Sequence, residues 1–105
     1  MSSQENMQRL QLLEQNVQAI NMQKQQFQAQ LFEVESALKE IADSSNAFKL
    51  IGGIMVNTDK KSLEVELNGK KDVLTLRIDT LEKQEKSIKD KSKKLRDDIV
   101  AAKGE

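Results

Sequence analysis

From Leu10 onward the chain places apolar residues at alternating three- and four-residue steps, through Leu10, Leu13, Val17, Ile20, Lys24, Phe27, Leu31, Val34, Leu38 and Ile41. Nine of these ten are apolar, where a chain that is 37% apolar overall would give about four by chance. Such spacing keeps one seam of a helix turned toward a partner helix. A second stretch repeats it through Leu67, Lys71, Leu74, Ile78, Leu81, Glu85, Ile88, Ser92, Leu95, Ile99 and Ala102, eight of eleven being apolar. Leu63, Val73 and Leu76 fall off this second seam, and Gly69 weakens the helix nearby, so the base of the second arm is expected to pack against something else. The pattern predicts helices over 1–43 and 59–103, each about 60 Å long. Ser2 and Glu5 have the spacing of a capping box, the Asp43-Ser44-Ser45-Asn46 cluster offers a stop, and Thr58 or Asp59 offers the second cap.

Between the arms the periodicity changes. Ala47-Phe48-Lys49-Leu50-Ile51 and Ile54-Met55-Val56-Asn57 flank a Gly52-Gly53 pair able to take the positive φ values of a tight turn, which predicts a β-hairpin over 46–58. Side chains alternate across a strand, so this hairpin is apolar on both faces. A lone two-stranded hairpin is marginal in water and its open edges invite pairing with other chains. It therefore reads as an assembly element. A connection of about 15 residues returns the second arm along the first, giving a mostly α, single-domain chain over 1–105: an antiparallel two-helix coiled coil with a central hairpin. Both chain ends would then meet at a tip about 60 Å from the hairpin. In that register, pairing Ile41 with Leu67 and counting outward sets Lys24 opposite Glu85, an ion pair that penalises slipped registers.

Composition narrows the chemistry. The only aromatics are Phe27, Phe32 and Phe48, and 32% of residues are charged, as suits a coiled coil better than a globule. With no His, no Cys and no Ser in an activating motif, no catalytic constellation emerges, so the chain is read as a non-enzyme without cofactor. Gly52-Gly53 lacks the Lys and Ser or Thr of a phosphate loop and is read as a turn. Glu33 with Glu35, and Asp97 with Asp98, stand too close along a helix to share a face, so no metal site is read. Lys plus Arg equals Asp plus Glu at 17 each; the Lys-rich run from Lys83 to Arg96 is interrupted by Glu85 and Asp90 and has no aromatic to stack on a base. Nucleic acid is not an expected partner. Neither is a membrane, since no apolar run approaches the roughly 18 residues of a span and the start of the chain has no signal-peptide pattern. The absence of Cys fits a reducing, cytoplasmic location.

The stretch Phe48-Lys49-Leu50-Ile51-Gly52-Gly53-Ile54-Met55-Val56, with Leu76-Arg77-Ile78 and Leu81-Glu82-Lys83-Gln84-Glu85 behind it and Gln23-Lys24-Gln25-Gln26 before it, resembles the β-type subunit of archaeal prefoldin. The resemblance covers nearly the whole chain. It implies an ATP-independent chaperone, a heterohexamer of two α-type and four β-type subunits. In that assembly the hairpins join into β-barrel platforms and the coiled coils hold unfolded client proteins for a cytosolic group II chaperonin. Phe48 stands where the family usually has Tyr, Gly69 is foreign to the second helix, and Pro is missing near the N-terminus.

Two sets of residues follow. Phe48, Leu50, Ile51, Ile54, Met55 and Val56 are the expected oligomerisation surface. Met7, Leu10, Leu12, Leu13, Ile99 and Val100 are the expected client-binding residues, of which Met7, Leu12 and Val100 lie off the seam, while the others are core first and reach a client only where the coil frays. A different class of reading is a coiled-coil adaptor or spacer that binds specific folded partners.

Overall fold

The computed structural model describes residues 3–104. Four elements follow one another: helix α1 (Ser3–Ala42), strands β1 (Ala47–Ile51) and β2 (Ile54–Thr58), and helix α2 (Lys60–Gly104). The Ser2 cap expected for α1 lies outside the described residues. No Pro or Gly interrupts α1, so nothing in it removes a backbone bond. Its end is closed by local bonds: the Ser44 amide donates to the Ile41 carbonyl at 3.1 Å, and the Asn46 amide to Ser44 Oγ at 3.2 Å. Lys60 Nζ donates to the Ala42 carbonyl at 3.1 Å, placing a cation where the last carbonyls of α1 carry partial negative charge.

Of the two candidate caps for α2, Asp59 is the one used. Its Oδ2 accepts from the Ser62 amide at 3.2 Å and from Ser62 Oγ at 3.0 Å, while its carbonyl accepts from the Leu63 amide at 3.0 Å.

The chain divides into two compact units. Unit 1 joins Met1–Gln26 with Ile78–Glu105, and unit 2 is Phe27–Arg77. In unit 1 the helices are antiparallel: Leu13 lines one groove with Leu95, Val17 lines another with Ser92, and Lys24 stands against Glu85. Unit 2 contains the hairpin. Its strands pair antiparallel with Ile51 opposite Ile54 and Phe48 opposite Asn57, leaving Gly52 and Gly53 as the two-residue turn. Their φ values of 56° and 82° are both left-handed, which glycine alone adopts without strain and which matches the right-handed twist of the strands. The helices of unit 2 are also antiparallel, with Val34 near Leu74, Leu38 near Lys71 and Ile41 near Leu67.

All ten seam positions of α1 are half-buried and none is fully buried. On α2 the seam residues Leu74, Ile78, Leu81, Ser92, Leu95 and Ile99 are buried, and Leu67, Lys71, Glu85 and Ile88 half-buried. Two expectations change. Ala102 is exposed, so the shielded seam stops at Ile99. Leu63, expected off the seam, is buried and lines a groove with Ala37, Ile41 and Phe48, because it stands one turn before Leu67 and continues the same stripe.

Candidate functional site

The hairpin carries the first candidate surface. Residues directly opposite in an antiparallel pair share a face, so Phe48, Leu50 and Met55 lie on one side and Ile51, Ile54 and Val56 on the other. All six are exposed, from 43% at Val56 to 70% at Leu50 and Met55. Only Ala47 is buried within the two strands. Each such side chain, once covered, contributes about 1.5–3 kcal/mol, so the hairpin holds a large reserve of unburied apolar surface.

The hairpin meets α2 through an apolar groove that Phe48, Leu50 and Leu63 line, and through one ion pair. Lys49 Nζ donates to both carboxylate oxygens of Glu66 at 2.9 Å, and this bond holds the Glu66 carboxyl below the usual carboxylate range. The pattern of residues gave one hint of this contact, since Lys49 is the lone charge in an apolar strand.

The second candidate surface belongs to unit 1. Among the expected client-binding residues, Met7, Leu12 and Val100 are more than half exposed, Leu10 and Leu13 half-buried, and Ile99 buried. Met7 and Leu12 stand five residues apart and so point to different sides of α1. Met7 and Leu12 therefore do not form one patch. A groove of about 630 Å³ does bring Leu13 and Leu95 together, edged by Arg9, Lys91, Lys94 and Asp98. Its basic rim was not foreseen, because those charges come from two distant segments.

The interior of unit 1 is unusually polar for a helix seam. Lys24 Nζ lies 3.5 Å from Glu85 Oε2, with the two side chains only 19% and 14% exposed, as the register count requires. Glu85 Oε1 also receives Lys89 Nζ at 3.4 Å, one turn along α2. The contact to Lys24 is close enough for attraction but is not aligned as a hydrogen bond. Among the described residues the buried side-chain polar atoms without a hydrogen bond are Asn6 Oδ1, Glu85 Oε2 and Ser92 Oγ, and all three lie in unit 1. Among the described residues no group of three or more His, Cys, Asp or Glu could hold a metal ion, and no helix is long and apolar enough to cross a membrane.

These features define a class: long antiparallel helix pairs with a small β-hairpin that is apolar on both faces. The prefoldin-subunit family profile matches residues 4–105. The chain is 35% identical over 99 residues to prefoldin subunit beta of Methanothrix thermoacetophila, covering 91% of this chain and 82% of that protein. To prefoldin subunit beta of Pyrococcus horikoshii it is 37% identical over 92 residues, covering 85% and 79%. The crystal structure of the prefoldin beta subunit from Thermococcus strain KS-1 superposes with a TM-score of 0.90 at 33% identity, over 95% of this chain and 90% of that one. The chain belongs to the prefoldin family of chaperones. These relatives are β subunits from archaea, and family membership implies a hetero-oligomer with other prefoldin subunits.

Proposed function

We propose that this chain is the β-type subunit of an ATP-independent holdase. Its hairpins join those of α-type partners, two α and four β, in a β-barrel platform. Its chain-end segments, 1–13 and 95–105, hold unfolded proteins and pass them to a cytoplasmic group II chaperonin. The observation that carries the reading is the hairpin's exposure of apolar side chains on both faces in a chain of this family, a surface that water disfavours and another strand would cover. Weak contacts from several subunits to one client add through effective concentration, so capture needs no nucleotide. Release then requires only a receptor that competes for the same apolar segments.

The test is a complex built from residues 15–96, which keep most of the seam and the entire hairpin. Native mass should show the same assembly, and light scattering should show that it no longer stops a diluted, unfolded protein from aggregating. Undiminished suppression would remove the chain ends as the client site. If the untrimmed complex suppresses nothing, the adaptor reading gains instead.

A further inference from the structure

Gly69 has no reason within this chain to be glycine. It lies inside α2, its φ is not left-handed, and a Cβ built on it would meet nothing within 4 Å. Glycine inside a helix weakens it relative to alanine, because the unfolded chain gains backbone freedom that folding must remove. Val65 and Val73 stand four residues to either side, hence on the same helix face, and are 73% and 50% exposed. Two branched apolar side chains with bare backbone between them make a notch. The missing Cβ lets another main chain come close, and the valines wall it.

The notch is not isolated. Gly69 and Val73 line a groove of about 630 Å³ with Val34, Leu74 and Lys70. Lys70 also lines the neighbouring groove at the hairpin base, with Phe48, Leu50 and Leu63. The groove at the hairpin base and the groove at Gly69 thus adjoin along α2, with Lys70 between them. Glu33, Lys70 and Arg77 set charges of both signs around the notch, which suits a long helix of mixed charge such as α2 itself.

We propose that a long helix of a neighbouring subunit in the hetero-oligomer crosses α2 at Gly69, seated between Val65 and Val73. The assembly interface then extends beyond the hairpin along the helix. This rests on the reading of the hairpin as the assembly surface.

The chain has no Cys, so Gly69→Cys supplies a single thiol in the full-length protein assembled with an α-type subunit. Its alkylation rate should fall at least about tenfold on assembly, since thiol reactivity follows exposure. An unchanged rate overturns the proposal. Gly69→Trp, with helix content checked by circular dichroism, should need about tenfold more protein to stay assembled. Assembly at the wild-type concentration would also overturn it. Gly69→Ala should raise the melting temperature of the free chain, because the added methyl meets nothing. The paired Ile54→Asp and Val56→Asp variant separates the two ideas. If its complex persists, the hairpin reading fails; if its complex falls apart while the Gly69→Cys thiol stays reactive in an intact complex, only the helix contact fails.

Discussion

Unit 1 keeps polar groups inside, and unit 2 keeps apolar groups outside. Among the described residues, ten of the fourteen exposed large hydrophobic side chains lie in unit 2, including six from the hairpin. Unit 1 has the buried Ile78, Leu81, Leu95 and Ile99, yet also a charge pair and the buried hydroxyl of Ser92 in the same seam. An apolar surface left in water is a demand for a partner, whereas a polar group in a seam lowers the cost of separating the helices that bury it. The contrast fits the proposed division of labour, in which assembly completes unit 2 while the polar groups in the seam of unit 1 ease its opening.

Making unit 2 polar should have the largest effect. Ile54→Asp with Val56→Asp should abolish the large complex outright while most helix remains, because the substituted strand cannot be covered without burying two carboxylates. Native mass spectrometry with circular dichroism reads both. Next in size is Glu85→Lys, which sets a second cation against Lys24 and should destabilise the chain by about 2–3 kcal/mol in urea unfolding. An unchanged midpoint would mean that the pair fixes nothing.

Ser92→Ala should act in the opposite direction. It removes a buried hydroxyl with no hydrogen bond and improves helix propensity, so stability should rise by about 1 kcal/mol. If the rise comes with weaker suppression of aggregation, looseness in unit 1 is functional. The smallest effect belongs to Lys49 and Glu66. Because the pair lowers the Glu66 pKa, its contribution is present above the ordinary glutamate range and is lost as pH falls through the lowered value. Both side chains are more than a third exposed, so the loss should be slight and should vanish in Glu66→Gln, measured by melting temperature against pH.

Much of this was legible in the chain itself, because period and punctuation survive without coordinates. The three-four steps located both helices, the paired glycines located the turn, and layer counting from Ile41 and Leu67 placed Lys24 against Glu85. Leu63 continues the second seam by a four-residue step before Leu67, but it stands so near the Asp59 cap that too little helix precedes it for the period to show. Thr58 and Asp59 are both good caps, and only the backbone path shows which side chain meets the Ser62 amide. The chain-end groove was out of reach for a related reason. Arg9 and Lys94 are far apart along the chain, and sequence spacing does not report the rotation that aims them into one cleft. The residues expected to bind clients divide into exposed and shielded ones, and spacing alone does not join Met7 to Leu12.

The most direct test of the central claim is hydrogen exchange on the assembled, full-length complex, with and without an unfolded client protein. The client should slow exchange in segments 3–13 and 95–103, while the hairpin, which its partners should already cover, should be unchanged. Protection that appeared instead in residues 47–58 or around Gly69, with the chain ends unaffected, would contradict it.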